Sequence, residues 1–260
     1  MRFVRFRKGK DQPRYGWVLE SDSEWKVGLV EGSPFTEFRR LEATQPLDSV
    51  ELLAPVVPTK IICVGRNYAA HALEHQAEVP EIPLLFLKPP SSVIAPGKPI
   101  VLPPQSQQVE HEAELVVVIS RQGRWIAPEQ ALNFVLGYTI GNDVTARDLQ
   151  KRDGQWTRAK GFDTFCPLGP WIETEFDPAD SLITCNVNDE LRQMASTRDM
   201  VFSVRQLVAF TSSVMTLEEG DILMTGTPSG VSPLTAGDRV VIAIEGIGAL
   251  ENPVVAETTR

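Results

Sequence analysis

The sequence predicts an α+β fold that is rich in β-strands. Segments with strand patterns outnumber segments with helix patterns along the 260 residues, and the helical segments are few and irregularly placed. This spacing argues against the alternating strand–helix units of a Rossmann fold or a barrel. Hydrophobic residues make up 42% and charged residues 23% of the chain, which excludes wholesale disorder.

Charge and composition exclude several classes of protein. The net charge of −9 argues against a surface for nucleic acid or anionic membranes. No apolar run reaches the roughly 18 residues of a membrane helix, and the N-terminal MRFVRFRKGK lacks the apolar stretch of a secretory signal. Cys63, Cys166 and Cys185 form no C-x-x-C pair, which is typical of buried thiols in a reducing compartment. We therefore expect a cytoplasmic protein.

Residues 1–57 are predicted to form a small N-terminal β domain. Apolar and polar residues largely alternate in residues 2–7, and Trp25, Val27 and Leu29 fall on one strand face at a period of two. The proline-punctuated residues 54–58 predict a boundary there. Residues 58–260 are then expected to form the main domain.

The main domain opens with a strand at residues 60–65 and a short helix at residues 67–78, which Pro80 ends. The longest predicted helix covers residues 203–217, with an apolar side formed by Val204, Leu207, Val208, Thr211, Val214 and Met215. Strands are further predicted at residues 84–87, 111–120, 137–142, 221–224 and 239–245. Helices are predicted at residues 128–136, with Pro128 in the first turn, and at residues 145–152, with Thr145 as N-cap.

Two carboxylates begin the apolar strand HEAELVVVI, residues 111–119. Residues two apart share a strand face, so Glu112 and Glu114 point the same way. Neighbouring buried carboxylates repel each other and are costly to desolvate, and a divalent cation would remove both penalties. In the alternative, the strand begins at Leu115 and both glutamates lie in solvent.

A third carboxylate, Asp143, follows the apolar residues 137–142. Glu112, Glu114 and Asp143 would form an all-oxygen set, which suits Mg²⁺, Mn²⁺ or Ca²⁺ better than Zn²⁺. The alternative role of Asp143 is an N-cap for the next helix. In that helix Arg147 and Gln150 are three residues apart and share a face.

All three histidines of the chain lie between residues 71 and 111. His71, Glu74 and His75 match H-x-x-E-H, a zinc-protease pattern. Without zinc, His71 and Glu74 could form a carboxylate–imidazole dyad on one helix face. An exposed polar helix surface is the third interpretation, and spacing alone does not choose among them.

Two loops offer further polar groups. Lys160 in residues 158–164 is a candidate for contact with an anion, and a solvated loop lysine is its alternative. Residues 226–230, GTPSG, supply amide and hydroxyl donors but do not form a Walker loop. No G-x-G-x-x-G occurs, so nucleotide binding has no support.

Six blocks of sequence together resemble the fumarylacetoacetate hydrolase family. They occur in the family's order and span about residues 58 to 255, and the N-terminal part resembles the small extra domain of many bacterial members. The blocks are GRNYAAH (65–71), FLKP (86–89), HEAEL (111–115), GNDVTARD (141–148), AKGFD (159–163) and TGTPSG (225–230).

The resemblance implies a mixed β-sheet roll, a homodimer, and a Mg²⁺ or Mn²⁺ ion, with Ca²⁺ as a substitute in crystals. The implied metal ligands are Glu112, Glu114 and Asp143, the same three that the residue pattern selects. The implied catalytic residues are His71 and Glu74, on a mobile lid helix, together with Lys160. His75 lies outside the family pattern. The implied residues around the substrate are Arg66, Tyr68, Arg147, Gln150 and Thr227.

The resemblance also implies a small 2-oxo acid as substrate. Its two adjacent oxygens would chelate the metal, which would stabilise the enolate formed when a C–C bond of an acylpyruvate is hydrolysed. The same equipment serves isomerisation of 2-hydroxyhepta-2,4-diene-1,7-dioate or decarboxylation of oxaloacetate. A zinc protease and a non-catalytic module that binds a metal or an oxo acid are the alternatives of another class.

Overall fold

The computed structural model describes residues 1–21 and 24–258. Among them, no helix is long and apolar enough to cross a membrane. The α-helices are α1 (Ala69–Glu74), α2 (Arg147–Asp153), α3 (Thr157–Lys160) and α4 (Val204–Val214). The strands are β1 (Arg2–Arg7), β2 (Arg14–Ser21), β3 (Glu24–Gly32), β4 (Phe38–Pro46), β5 (Glu51–Leu53), β6 (Ile61–Gly65), β7 (Leu84–Lys88), β8 (Val93–Ile94), β9 (Ile100–Leu102), β10 (Val109–Glu110), β11 (Ala113–Ile119), β12 (Val135–Asn142), β13 (Thr145–Ala146), β14 (Cys166–Glu173), β15 (Leu182–Val187), β16 (Glu190–Ser196), β17 (Ile222–Met224), β18 (Arg239–Ile244) and β19 (Gly248–Ala256).

The predicted β-rich α+β class is confirmed, and the sheets are mixed. The largest sheet has the order β4-β3-β2-β1-β14-β12-β11-β17-β6-β7. Most neighbours are antiparallel, but β17 and β6 run parallel. A second sheet has the order β16-β15-β18-β19-β9, and its strands β15, β18 and β19 pack against β11, β12 and β14. The main apolar core lies between these two layers.

The N-terminal strands continue the largest sheet. β1 pairs antiparallel with β14, with Arg2 opposite Glu173. The terminal ammonium of Met1 donates to Glu173 Oε1 at 2.8 Å, and Arg2 Nε donates to Glu173 Oε2 at 3.1 Å. One buried carboxylate therefore joins the first two residues to the main domain.

The central strands bring distant parts of the chain to one edge of the largest sheet. β11 is antiparallel to both β12 and β17, so its first half lies beside the ends of those two strands, with Ala113 opposite Asn142 and Val116 opposite Met224. β6 is parallel to β17 and ends at the same edge, where the antiparallel β7 begins. The segments that follow β6, β12 and β17 therefore meet at the start of β11.

Several predicted helices are shorter than expected or of another type. The helix predicted at residues 67–78 is confined to Ala69–Glu74, because Asn67 is held by Phe202 and Thr225 and the chain leaves the helix after His75. The segment predicted at residues 128–136 is a 3₁₀ helix, Pro128–Phe134, and its last two residues already belong to β12. Shorter 3₁₀ helices lie at Leu47–Ser49, Pro90–Ser92 and Thr197–Asp199.

The predicted N-cap role of Thr145 is wrong. Thr145 lies in β13, opposite Glu110 of β10, and α2 begins only at Arg147. The Thr145 hydroxyl lies 2.8 Å from the carbonyl of Asp143 and 3.1 Å from Glu112 Oε1, and its single hydrogen serves these two acceptors and not the N-terminus of the helix. Tertiary pairing with β10 thus overrides the local capping preference.

The longest predicted helix is confirmed as α4, with two corrections at its end. Ser203 caps it, and Gln206 completes a capping box. Val204, Leu207, Val208 and Thr211 are buried as predicted, but Val214 is exposed and Met215 lies beyond the last helical residue.

All three cysteines are buried, free thiols.

Candidate active site

A cavity of about 180 Å³ opens at the edge of the sheet where β6, β11, β12 and β17 meet. The strand ends at this edge supply charged side chains, and α1, α2 and α3 close the cavity around them. The lining residues are Val64, Gly65, Arg66, His71, His75, Phe86, Glu112, Glu114, Asp143, Arg147, Gln150, Lys151, Trp156, Lys160 and Thr227.

Three carboxylates lie together on the cavity wall. Oxygen atoms of Glu112, Glu114 and Asp143 lie within 4.8 Å of one another, and all three side chains are buried. The alternative that both glutamates lie in solvent is therefore wrong. Glu112 lies just before β11, and its N–H donates to the side-chain oxygen Oδ1 of Asn142 instead of to a strand partner. Its carboxylate nevertheless lies close to those of Glu114 and Asp143.

Buried cations balance two of these carboxylates. Lys160 Nζ lies 2.8 Å from Glu112 Oε2 and 2.6 Å from Asp143 Oδ2. Lys88 Nζ lies 2.6 Å from Asp143 Oδ1, and Arg147 Nη2 donates to Glu112 Oε1. The Asp143 carboxylate is thus engaged by two ammonium groups and does not act as a helix cap.

Burial would raise the pKa of Glu112, but the adjacent Lys160 and Arg147 outweigh it and lower the pKa below the usual range. The pKa of Lys160 is raised, since its desolvation is outweighed by Asp143 and Glu112. Lys160 is therefore an ammonium group throughout the physiological pH range.

Glu114 forms no ion pair with the described residues. Its Oε2 accepts a 2.8 Å hydrogen bond from Gly226 N–H. Burial, and then the nearby Asp143 and Glu112 charges, raise the pKa of Glu114 well above its usual value. The free space beside this unbalanced carboxylate and the oxygen atoms of Glu112 and Asp143 fits a hard divalent cation such as Mg²⁺ or Mn²⁺.

Glycine is required where the chain approaches Glu114. Gly226 has φ = 99°, and a Cβ at this position would lie 2.7 Å from Asn67 Cβ. Both the positive φ and the close approach exclude larger residues. This geometry presents the Gly226 N–H to the carboxylate.

His71 and Glu74 form the predicted dyad. Nδ1 of His71 lies 3.1 Å from Glu74 Oε2, and Glu74 Oε1 accepts from Gly230 N–H at 3.0 Å. His71 is buried and lines the cavity, whereas Glu74 lies behind it and does not. The interpretation of this segment as an exposed polar surface is wrong for His71, which is buried, whereas Leu73 and Glu74 are exposed.

The H-x-x-E-H residues also come together. Ligand atoms of His71, Glu74 and His75 lie within 4.8 Å of one another, and the two imidazole rings meet edge to face at 4.6 Å. Burial, together with the charge of Arg147, lowers the pKa of His75 and keeps its ring neutral. This nitrogen-rich set suits zinc better than the carboxylate triad does.

The structure places the predicted substrate residues unequally. Arg66, Arg147, Gln150 and Thr227 line the cavity. Tyr68 does not; its side chain is buried, and its hydroxyl has no hydrogen-bond partner among the described residues. Burial raises the pKa of this hydroxyl, so the hydroxyl stays protonated at neutral pH.

Sequence reasoning missed four residues of this site. Phe86, Lys151 and Trp156 line the cavity, and the Phe86 and Trp156 rings meet edge to face at 5.1 Å. Lys88 reaches Asp143 from behind. Lys88 could have been found from the sequence, because a lysine at the end of the apolar strand β7 is unusual. The sequence contains no comparable signal for Trp156.

Two family models match the chain. The model described as fumarylacetoacetate (FAA) hydrolase C-terminal matches residues 60–255. The model described as Rv2993c-like, N-terminal matches residues 1–55. Together they cover nearly all of the described residues.

Three known proteins show what the chain is similar to. The mitochondrial oxaloacetate tautomerase of Xenopus laevis is 46% identical, over 80% of this chain and 69% of that protein. The crystal structure of 5-carboxymethyl-2-hydroxymuconate delta-isomerase from Mycobacterium smegmatis is 45% identical and covers 99% of this chain and 100% of that one, with a TM-score of 0.92. Maleylpyruvate hydrolase from Sphingobium sp. SYK-6, in complex with manganese (II) ion and pyruvate, is 33% identical with the same coverage and a TM-score of 0.78.

Proposed function

The chain belongs to the fumarylacetoacetate hydrolase family of enzymes, and we propose that it uses a divalent cation to form the enolate of a 2-oxo diacid. The observation that carries this proposal is the buried triad of Glu112, Glu114 and Asp143 beside the His71–Glu74 dyad, in one cavity. Keto–enol tautomerisation of oxaloacetate is the first reaction to test, since the chain is 46% identical to an oxaloacetate tautomerase.

The charge of the cavity supports a substrate with two carboxylates. The inner wall holds the carboxylate triad, where a cation and Lys160 would meet the 2-oxo acid end. Arg66 and Lys151 line the cavity and form no ion pair with the described residues. Two unpaired cations in one cavity favour a second anionic group on the ligand.

A divalent cation bound by Glu112, Glu114 and Asp143 would polarise the substrate carbonyl as a Lewis acid. We propose Mg²⁺ or Mn²⁺, and the manganese ion of the Sphingobium hydrolase supports this choice. The residues of the chain perform the remaining steps.

The dyad moves the proton. Glu74 holds the Nδ1 side of His71, which leaves Nε2 as the ring atom that takes a proton from the substrate carbon. Glu74 is itself oriented by the N–H of Gly230, so the imidazole is held from behind. Proton return to the other enolate position completes a tautomerisation.

Lys160 contributes a fixed positive charge. Its ammonium group forms ion pairs with Glu112 and Asp143 and lines the cavity. It can therefore donate a hydrogen bond to a developing oxyanion. Because its pKa is raised, Lys160 acts as a charge and a donor and not as a base.

Hydrolysis of an acylpyruvate C–C bond, predicted from the sequence, is the second candidate. It is favoured by the likeness to maleylpyruvate hydrolase and by the same dyad, which could activate a water molecule. Enolate formation is shared, and the two reactions differ in whether water attacks a second carbonyl group.

The test is an activity panel with Mg²⁺ or Mn²⁺. Oxaloacetate tautomerisation and decarboxylation, isomerisation of a 2-hydroxydienedioate, and cleavage of acylpyruvates with one or two carboxylates are measured in parallel. We expect turnover of a diacid, preferred over its monoacid analogue, and loss of turnover with a chelator. A protein that is inactive on every member of the panel, with either metal, contradicts the proposed function.

We also propose a cytoplasmic homodimer. The buried free thiols Cys63, Cys166 and Cys185 support a reducing compartment. Val79 and Ile82, just before the edge strand β7, and Leu84 and Leu87 within it are exposed, and large exposed apolar side chains at the edge of a sheet are typical of an interface. Light scattering on the purified protein should give twice the chain mass.

A further inference from the structure

A chain of buried polar side chains leads from Ser232 to the cavity. It runs through His111 and Gln193 to Thr227, the cavity residue that the family resemblance places near the substrate. His111 and Gln193 are fully buried, and neither lines the cavity. Buried polar side chains that link a site to the protein interior orient the groups at their ends.

Backbone groups at both ends determine the orientation of the Gln193 amide. Its Oε1 lies 3.0 Å from the N–H of Ala113, a group that only donates. Its Nε2 lies 2.7 Å from the carbonyl of Pro228, a group that only accepts. The oxygen therefore faces Ala113 and the nitrogen faces the loop that carries Thr227.

The same logic determines the hydrogen on His111. Nδ1 of His111 lies 3.0 Å from Gln193 Oε1, which only accepts, and 3.3 Å from Cys185 Sγ; a hydrogen on Nδ1 satisfies the shorter contact, to the Gln193 oxygen. Nε2 lies 2.9 Å from Ser232 Oγ, which holds the other side of the ring. His111 thus adds a second donor to the Gln193 oxygen and locks the amide.

The direction of the Thr227 hydroxyl follows. Gln193 Nε2 lies 2.8 Å from Thr227 Oγ1 and donates to it. The hydroxyl accepts that bond, so its own hydrogen is free, and no acceptor for it occurs among the described residues. Because Thr227 lines the cavity, a ligand oxygen is the acceptor that remains.

We propose that Gln193 and His111 are positioning residues which make Thr227 a hydrogen-bond donor to an anionic oxygen of the substrate. Without Gln193, nothing would hold the Thr227 oxygen as an acceptor, and its hydrogen would lose its fixed direction into the cavity. This inference rests on the proposed function, since it assumes an oxo acid in the cavity. It assigns no step of the reaction to Gln193 or His111.

The test measures the affinity for oxalate, a mimic of the pyruvate enolate. Titration calorimetry is carried out on the full chain saturated with Mg²⁺. Loss of one hydrogen bond to a charged group corresponds to roughly ten- to hundredfold weaker binding. We expect Gln193→Met and Thr227→Val each to weaken oxalate binding by about that factor, with Mg²⁺ affinity unchanged. The double variant should be no weaker than Thr227→Val alone, because both changes remove the same bond.

Asn252→Leu is the matched control. Asn252 is a buried amide that donates to the carbonyls of Ala95 and Lys98, away from the cavity. It should lower the melting temperature as Gln193→Met does, yet leave oxalate affinity unchanged. A Gln193→Met protein that binds oxalate like the wild type, or effects that multiply in the double variant, would overturn the inference.

A second pair of variants covers the case in which Gln193→Met does not fold. His111→Asn keeps a donor towards Gln193, whereas His111→Leu removes it. Oxalate binding should be near normal in the first and weakened in the second, and equal affinities contradict the role of His111. Wild-type protein that binds Mg²⁺ but no oxalate would count against the proposed function itself, which separates the two failures.

Discussion

The backbone N–H of Gly226 donates a 2.8 Å hydrogen bond to Glu114 Oε2, and this carboxylate has no cationic partner among residues 1–21 and 24–258. Glu112 and Asp143, by contrast, each contact two cationic side chains. The site is thus balanced except at Glu114. This imbalance makes Glu114 the residue on which metal binding should depend most.

Glu114→Ala should abolish Mg²⁺ binding, because it removes the ligand whose charge nothing else neutralises. Titration calorimetry on wild type should give one Mg²⁺ per chain and no measurable heat in the variant. Glu110→Gln is the control, since Glu110 is also buried but pairs with Arg147 outside the triad. Unchanged Mg²⁺ affinity in Glu114→Ala would refute the assignment of the ligands.

The raised pKa of Glu114 predicts how stability depends on pH. A carboxyl group whose pKa is higher folded than unfolded binds a proton preferentially in the folded state. This preference stabilises the folded protein fully at pH values below the pKa of the unfolded chain, roughly 4.3. The stabilisation is lost as the pH rises through the higher pKa that Glu114 has in the folded protein. Mg²⁺ binds the carboxylate form, so we expect the rise in melting temperature with Mg²⁺ to grow from pH 5 to pH 8.

Scanning calorimetry with and without Mg²⁺ measures this effect. Glu114→Gln is the matched variant, because the glutamine amide is neutral at every pH. The stability of this variant without metal should therefore not fall between pH 5 and pH 8 through titration of residue 114. An increment from Mg²⁺ that is the same at pH 5 and pH 8 would show that Glu114 titrates normally.

Glu74→Gln should lower kcat by roughly 10²–10⁴, the usual range for a lost acid–base partner. Gln keeps the size of the side chain but cannot take up charge as His71 gains a proton. Mg²⁺ affinity and melting temperature should stay near those of wild type, since Glu74 contacts none of the three triad carboxylates. Normal turnover by this variant on the substrate found in the panel would exclude the dyad.

His75→Ala separates the enolate-forming enzyme from a zinc enzyme. If His71 and Glu74 act as a dyad, the variant should keep activity within a few-fold, because the His75 ring lies beside the dyad and forms no hydrogen bond to either side chain, while its backbone N–H bond to the His71 carbonyl survives the change to alanine. A zinc site would lose a ligand and essentially all activity. Stoichiometric zinc in the purified protein, together with an inactive His75→Ala, would favour the zinc enzyme.

Hydrogen exchange should detect the lid that the sequence predicts at residues 67–78, although the anchored Asn67 limits the segment that can open to about residues 69–77. The segment at residues 69–77 presents exposed Leu73 and Glu74 and has few apolar contacts, so local opening should cost little free energy. We expect residues 69–77 to exchange fast in the free protein and to be protected by Mg²⁺ plus oxalate, whereas the anchored Asn67 should be protected in both states. Equal protection of residues 69–77 in the two states argues against a lid.

A helix or strand could be predicted from the sequence where neighbouring residues alone determine it. Ser203 and Gln206 cap α4 through contacts within four residues, so the sequence contains all that the cap requires. Thr145 carried an equally ordinary cap signal and lies in a strand, because Glu110, 35 residues earlier, pairs with it there. Capping preference is worth about 1 kcal/mol, which tertiary pairing readily outweighs.

The sequence by itself determined the β-rich class, the helix α4, and three carboxylates near two apolar strands. Those features depend on period and residue type, which are local properties of the chain. The roles of Lys88 and Gln193 depended on the tertiary structure. Each acts on a residue at least 34 positions away, and antiparallel and parallel strand pairing alone decides which distant segments share an edge. Spacing in the sequence carries no such information, so the balance of charge around Glu114 and the direction of the Thr227 hydroxyl could be read only from the folded chain.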